Sequence, residues 1–187
     1  MSILRLFHTG FQVIQKPDIN MGRANADFGQ GFYLSNDEEF SRRWARDLKG
    51  ETTYINVYDL DTGDLQLKHF SRGEEWFEYI FNNRRNAADV LADFDVIIGP
   101  IANDTIYDVL GITTSGILTK DKSLAVLKAG PAYEQVVIKT EKALLRLSFV
   151  KAEVITPEEI GRYRETVKAE EEQFQEELVR ILSDGEE

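Results

Sequence analysis

The 187-residue chain contains no cysteine and only two histidines, His8 and His69. Without cysteine there is no disulfide framework, no thiolate nucleophile and no Cys-ligated zinc site. The two histidines lie far apart and lack a His-Glu-x-x-His spacing, so a catalytic zinc site has little support. We therefore expect no metal cofactor, and the lack of disulfides fits a cytoplasmic protein.

Basic residues and long apolar runs are also scarce. The 22 Lys and Arg residues against 33 Asp and Glu give a net charge of −11, which disfavours duplex nucleic acid as a partner. No apolar run approaches the roughly 20 residues that span a bilayer, and the first residues lack the apolar core of a signal peptide. We expect a soluble, cytoplasmic chain with no membrane partner, forming one domain and an appendage.

A short run typical of a β-strand, Ile3 to Phe7, ends at His8, Thr9 and Gly10. A lone histidine at a strand end is more often a structural residue with satisfied hydrogen bonds. Here the glycine allows close approach to the backbone, so the His8 ring could hold a ribose hydroxyl while backbone groups meet a carboxamide.

The second motif is the segment Phe28-Gly29-Gln30-Gly31-Phe32-Tyr33-Leu34-Ser35. Its two glycines leave the backbone accessible, and its three aromatic rings offer faces that suit a planar heteroaromatic ligand. The alternative is a glycine-bent strand whose Phe28, Phe32 and Tyr33 belong to the core, because aromatic residues are common in strands. From the segment alone, both interpretations stay open.

The remaining pattern predicts an irregular order of helices and strands. A capping box at Ser35 and Glu38, or at Asn36 and Glu39, predicts a helix that continues to Lys49-Gly50. Further predictions are a β-hairpin of strands 53–60 and 65–70, helices at 73–88, from Asp104, and at 141–145, and strands at 95–98, 136–138 and 147–155. A capping box at Thr156 and Glu159 predicts a long acidic helix from Pro157 to about Leu182.

Together the two motifs resemble the ADP-ribosyltransferase superfamily, in particular its poly(ADP-ribose)-polymerase-like or diphtheria-toxin-like branch. The span from Ile3 to about Phe149 is similar to a bacterial family of uncharacterised proteins grouped with that superfamily. The landmarks are Asp27-Phe28-Gly29-x-Gly31-Phe32-Tyr33-Leu34, Trp44-Ala45, Asn56-x-Tyr58, Trp76, Asn83-Arg84, and Asp95 through Gly99-Pro100-x-Ala102-Asn103-Asp104.

The resemblance implies NAD as substrate and assigns roles to individual residues. His8 would bind the adenosine-side ribose, Thr9 and Gly10 would border the nicotinamide, and Tyr33 would stack on the nicotinamide ring. Ser35 matches the small hydroxyl residue that often follows this tyrosine. The remaining cofactor-binding candidates come from the same or a following segment: Gly31, Phe32 and Asn103.

Alternatives apply to three polar residues near these motifs. Asn103 and Asp104 follow Gly99-Pro100 and could reach the NAD cleft, but capping a helix is an equally ordinary use of either residue. Arg84 could bind a phosphate through its forked donors, or it could form a surface ion pair. For each residue the sequence favours the structural alternative.

The superfamily's catalytic glutamate lies at the start of a late strand, and the corresponding strand here begins Tyr133-Glu134-Gln135. Aligning the apolar strand core puts Gln135 at the glutamate position. Glutamine can bind a ribose hydroxyl, but it has no charge to stabilise an oxocarbenium-like transition state. Glu134 can replace it only if the register slips or a bulge intervenes, because successive strand residues face opposite ways. Gln135, Glu134 and Tyr33 are the catalytic candidates, and poly-ADP-ribose elongation is disfavoured.

The resemblance thus implies an α+β fold with split mixed sheets around an NAD cleft over residues 1–155, and an amphipathic acidic helix over 156–187. The expected activity is mono-ADP-ribosyl transfer to an unknown acceptor, in a toxin-type effector as one variant. A catalytically weak NAD-binding or interaction module is the alternative. The C-terminal helix is expected to pack on its own domain, with docking of a cognate antitoxin or regulator as the other use.

Overall fold

A computed structural model describes residues 2–102, 119–129 and 132–183. These residues form a mixed α+β fold with two β-sheets and a long C-terminal helix, which confirms the predicted fold class at this level. The elements are β1 (Ile3–Gly10), β2 (Phe32–Leu34), α1 (Glu38–Arg42), β3 (Thr53–Asp61), β4 (Leu67–His69), α2 (Glu74–Arg84), β5 (Val96–Pro100), α3 (Lys120–Lys128), β6 (Glu134–Ile138), α4 (Glu141–Leu145), β7 (Leu147–Ile155) and α5 (Pro157–Ser183).

The first sheet has the order β1-β3-β7 with antiparallel pairing throughout. Its central strand is rich in β-branched and aromatic residues and buries Ile55, Val57, Tyr58 and Leu60 almost completely. The pairing with β7 shifts between Val57 and Tyr58, where a bulge interrupts the alternation. This sheet gives β1 a rigid partner, and His8, near the end of β1, pairs with Asn56 and so has a fixed position.

The second sheet has the order β2-β6-β5-β4, and only β4 and β5 pair in parallel. The predicted hairpin of strands 53–60 and 65–70 is therefore wrong. Both edges of β3 are occupied by β1 and β7, whereas β4 pairs with the distant Val96–Ile98 stretch. Val136, Val137 and Ile138 of the central strand β6 have no exposed surface, as expected for a β-branched interior strand.

A short backbone contact joins the two sheets. Phe7 N donates to Ser35 O at 2.8 Å, and Ser35 N donates to Phe7 O at 2.9 Å. This antiparallel bridge continues β2 onto the edge of β1. As a result, the His8 motif and the Tyr33 motif meet although 25 residues separate them in sequence.

Helix α1 is much shorter than the sequence predicts. Neither proposed capping box forms, because Asp37 is the N-cap and its carboxylate accepts from Phe40 N at 3.0 Å. The helix ends at Arg42, and the apolar Trp44 and Leu48 beyond it are 46% and 49% exposed. Trp44 contacts Phe40 edge-on, but neither Trp44 nor Leu48 is buried, so their helical spacing does not extend the helix.

The C-terminal half of the described chain follows its local signals closely. Helix α4 and strand β7 have the predicted bounds. Thr156 N donates to Glu159 Oε2 at 2.8 Å and Glu159 N donates to Thr156 Oγ1 at 3.3 Å, so the capping box opens helix α5 as predicted.

Helix α5 packs on its own chain, which confirms the expectation for its apolar face. Ile160, Tyr163 and Phe174 are buried, and Phe174 joins a small cluster with Val126 of α3. Glu170 adds an ion pair at 2.5 Å to Arg43, just after α1. In the described part of the chain, no helix combines the length and apolar character needed to cross a membrane.

Candidate functional site

A cleft of about 480 Å³ lies where the ends of β1, β2 and β6 meet. The segment before β2, helix α1 and the end of α2 complete its walls. The catalytic and cofactor-binding candidates that line it are His8, Thr9, Tyr33, Ser35 and Gln135, and Arg84 lines it as well. Asn103, a further cofactor-binding candidate, and Asp104 lie outside the described residues.

His8 presents a hydrogen-bond acceptor to the cleft. Its Nδ1 lies 2.8 Å from the Tyr33 carbonyl oxygen, which can only accept, so Nδ1 carries the proton and Nε2 does not. Burial lowers the pKa of the His8 ring below its ordinary value of 6.5, although the bond to Tyr33 opposes this. Among the described residues, none donates to Nε2, so it is free to accept from a ligand hydroxyl.

The Tyr33 side chain lines the cleft with its ring while its hydroxyl holds the preceding loop. The hydroxyl donates to Gly29 O at 2.6 Å and accepts from Phe28 N at 3.0 Å. Burial raises the pKa of this hydroxyl well above its ordinary value, so it stays protonated. Tyr33 is therefore available for stacking but is not suited to proton abstraction.

Thr9 and Ser35 contribute hydroxyls that already have partners. Thr9 Oγ1 lies 3.1 Å from Ser41 Oγ of helix α1. Ser35 Oγ donates to Glu134 O at 3.3 Å and accepts from Asp37 N at 3.0 Å. These contacts fix the cleft wall at the point where β2 leads into α1.

Three predicted cofactor-binding residues do not line the cleft. Phe32 points into the core against Tyr58, because it alternates with Tyr33 along β2. Gly31 is a packing requirement, since a Cβ there would lie 2.6 Å from Ile138 O. Gly10 does not line the cleft. A Cβ there would lie 3.4 Å from His8 Nε2, which is an ordinary van der Waals contact. The core interpretation also holds for Phe28, which has no exposed surface.

The alternation of β6 decides between the two catalytic candidates on this strand. Its pairings with β2 and β5 run without a register shift, so Gln135 faces the cleft and Glu134 does not. The exposed Glu134 carboxylate instead accepts from Asn36 Nδ2 at 3.1 Å. Glu134 is therefore not placed to act on a ligand in the cleft.

The ion pair of Arg84 lies beside Gln135, and the sequence predicted neither its burial nor its partner, Asp27. Arg84 Nη2 lies 2.5 Å from Asp27 Oδ1, and the two side chains are only 13% and 11% exposed. Gln135 Nε2 donates to the other Asp27 oxygen, Oδ2, at 3.4 Å. The ion pair expected for Arg84 is thus present, but it is largely buried and not on the surface. The feature of the sequence that could have indicated this pair is Asp27 itself, an acidic residue directly before an aromatic and glycine-rich segment.

The loop that follows β1 is held by hydrogen bonds from side chains of β3 in the first sheet. Asn56 is fully buried, accepts from Ile14 N at 2.9 Å and donates to Gln12 O at 3.0 Å. Tyr58 Oη donates to Ile14 O at 2.7 Å. These bonds satisfy polar backbone groups of the loop at Gln12 and Ile14.

A second cavity, of about 380 Å³, lies on the other side of the glycine-rich loop. The two charged residues that line it form an ion pair: Lys139 Nζ lies 2.7 Å from Asp89 Oδ2, and it also lies 2.5 Å from Phe28 O. Tyr79 Oη donates to Asp89 Oδ1 at 2.8 Å. Gly29, with φ of +72°, passes close to this network, and a Cβ would lie 2.8 Å from Asp89 Oδ2.

Comparison with protein-family models gives a match to the family described as "Protein of unknown function (DUF3990)", over residues 4–149. The comparisons with curated proteins and with solved structures gave no match. The matched span contains β2, β6 and all of β1 except Ile3, and it includes every residue singled out from the sequence that lines the cleft. Because the family model covers well over half of its length, the chain belongs to the DUF3990 family.

Proposed function

We propose that this chain binds NAD and transfers its ADP-ribose unit to an acceptor, as a mono-ADP-ribosyltransferase. One observation carries the proposal. His8, Tyr33 and Gln135, taken from three separate strands by resemblance alone, line the same cleft. The split arrangement of two sheets beside this cleft fits an ADP-ribosyltransferase fold and gives further support.

The polar groups suit the parts of NAD that the resemblance assigns to them. Unprotonated His8 Nε2 can accept from a ribose hydroxyl, and the Tyr33 ring offers a face to the nicotinamide. The exposed Arg23 also lines the cleft and supplies positive charge toward a pyrophosphate, whereas the charge of Arg84 is paired with Asp27. A volume of about 480 Å³ lies within the range of small-molecule sites.

In the proposed reaction, the bond between the ribose C1′ and the nicotinamide nitrogen breaks. Nicotinamide leaves with the electron pair as a neutral molecule, and the ribose carbon develops positive charge. The acceptor nucleophile then bonds to C1′ and loses a proton. The acceptor is water in the simplest case, which gives NAD hydrolysis.

The test is incubation of the full chain with NAD labelled in its adenine half, with and without cell extract. We expect nicotinamide release and transfer of label to an acceptor. A chain that binds NAD but gives neither product contradicts transferase activity. A His8→Gln variant serves as the control, since it retains a polar side chain but changes the acceptor.

A catalytically weak NAD-binding module is the second candidate, and Gln135 favours it. The cleft presents a neutral amide where the resemblance implies a carboxylate, and Glu134 faces away from the cleft. NAD binding without nicotinamide release would support this candidate. Rapid turnover by the unmodified chain would remove it.

Docking of a cognate antitoxin or other regulator on α5 is a separate proposal. The residues Ile160, Tyr163 and Phe174 are already buried against the chain, so a partner would contact the outer face that carries the exposed Val179. Val179→Glu should weaken such binding without altering the cleft. Equal binding by the variant would contradict this site.

A further inference from the structure

We infer that Asp27 is a positioning residue that orients the Gln135 amide, so that the amide oxygen is the group offered to the ligand. The inference rests on the proposed function, because it names how this site manages without a glutamate on β6. Two side chains from distant parts of the sequence then form one polar unit. Asp27 supplies the negative charge, and Gln135 supplies the amide oxygen that contacts the ligand.

The hydrogen-bond chemistry determines which way the amide points. The carboxylate of Asp27 can only accept, so the 3.4 Å contact must come from Nε2 of Gln135. The other end of the amide, Oε1, is then the end turned away from Asp27. Within the described residues, Oε1 accepts no hydrogen bond, and Gln135 borders the cleft.

Arg84 fixes Asp27 for this task. Its Nε and Nη2 both reach Oδ1, at 2.7 and 2.5 Å, which leaves Oδ2 directed at Gln135. Asp27 and Gln135 are 9% and 8% exposed, so water competes little for these bonds. Rotation of the amide would set an oxygen against a carboxylate, which is electrostatically unfavourable at this burial.

The same geometry accounts for glutamine rather than glutamate at position 135. A glutamate would place a second carboxylate against Asp27, and two adjacent carboxylates cannot both ionise without a strong penalty. With glutamine, the charge stays on Asp27. As the glycosidic bond breaks, the negative end of the amide dipole faces the ribose and the Asp27 charge lies directly behind it.

Three substitutions change the polarity and nearly conserve the shape. In Asp27→Asn, the oxygen of the introduced amide still accepts from Arg84, but its nitrogen faces Gln135, so the Gln135 amide must turn and offer a donor to the cleft. Gln135→Glu sets carboxylate against carboxylate. The double variant Asp27→Asn/Gln135→Glu restores one donor, one acceptor and a cleft-facing oxygen. Asp93→Asn, at an exposed site, is the matched control.

The experiment measures NAD Kd by calorimetry and kcat and KM for nicotinamide release. We expect Asp27→Asn to raise Kd about tenfold and to lower kcat about a hundredfold, the size of effect seen when one oriented group is removed from a transition state. Gln135→Glu alone should raise the NAD Kd as pH rises, because ionisation of a second carboxylate beside Asp27 disrupts the paired arrangement. The double variant should recover toward the original Kd and kcat, and Asp93→Asn should leave both unchanged.

NMR of the Gln135 side-chain amide separates this inference from the proposed function. We expect its two proton resonances, assigned by their loss in Gln135→Glu, to move in Asp27→Asn and to stay in Asp93→Asn. Unmoved resonances in Asp27→Asn, or a double variant no better than Asp27→Asn, would overturn the inference. Absence of NAD binding by the unmodified chain would instead overturn the proposed function, and the NMR result would still decide the orientation.

Discussion

The segment from Ala26 to Gln30 contributes residues to two cavities of similar size and different chemistry. In the second cavity, Lys139 bonds to Phe28 O and to the Asp89 carboxylate, so its charges already satisfy one another. In the cleft, His8 Nε2 and Gln135 Oε1 are each directed by one protein contact and, among the described residues, retain an unused acceptor. Cavity volume alone does not distinguish a binding site from a cluster of polar groups that bond to each other. Unused hydrogen-bonding groups do distinguish the two.

The largest expected effect is a loss of stability at the ion pair of Lys139 and Asp89 in the second cavity. Lys139→Met removes a cation whose side chain is 4% exposed and leaves the Asp89 carboxylate without it. The free energy of unfolding should fall by about 3 kcal/mol, as for other buried pairs that lose one partner. Urea denaturation measures this. Lys151→Met, which removes an exposed pair, should behave nearly as the unmodified chain does.

The opposite result for Lys139→Met would contradict this distinction between the two cavities. If Lys139→Met left the unfolding free energy unchanged but abolished NAD binding, the second cavity would be a ligand site.

In the cleft, the expected effect is on affinity rather than on stability. His8→Gln replaces the Nε2 acceptor with an amide whose orientation no longer depends on Tyr33 O. NAD Kd should rise about tenfold, equivalent to about 1.4 kcal/mol. Calorimetry measures the affinity, and thermal unfolding provides the control for the fold. An unchanged Kd would contradict a role for His8 in binding.

The lowered pKa of His8 predicts a pH dependence of smaller size. The unfolded chain takes up a proton near pH 6.5 and the folded chain only at lower pH, so stability falls as pH drops below 6.5. The slope from this group is at most about 1.4 kcal/mol per pH unit, and it ends at the pKa of the folded state. His8→Gln should remove this component from denaturation curves measured between about pH 7.5 and 5.5. An unchanged pH dependence in the variant would contradict the buried neutral ring.

The smallest expected effect is at Glu134. Because this carboxylate faces away from the cleft and contacts Asn36, Glu134→Gln should leave NAD Kd within twofold of the original value, about 0.4 kcal/mol. A tenfold loss of affinity would show that β6 presents its other face to the ligand.

The sequence predicts those parts of the fold that depend on neighbouring residues. The reciprocal Thr156 and Glu159 bonds act over three residues, and helix α5 begins where they place it. The partner of β4 is 29 positions away, at Val96–Ile98, so no local pattern distinguishes it from a hairpin strand. Helix α1 ends at Arg42 and Trp44 and Leu48 beyond it are exposed, so apolar residues at helical spacing were not enough to predict its length.

In the candidate site too, the sequence predicts what depends on neighbouring residues and misses what depends on distant ones. Strand alternation places Gln135 and Glu134 on opposite faces, as the sequence predicts, and the structure shows which face borders the cleft. The Asp27 and Arg84 pair spans 57 positions, so neither residue identifies the other in the sequence. Phe32 was wrong as a cleft residue for a local reason, since its neighbour Tyr33 takes the cleft-facing side of the strand.

The most direct test of the account is a titration of the isotopically labelled chain with NAD, followed by backbone amide NMR. The account predicts saturable shifts at Thr9, Tyr33 and Gln135, which line the cleft, and little change at Asn86 and Asp89 in the second cavity. Shifts confined to Asn86 and Asp89, or none up to millimolar NAD, would contradict it.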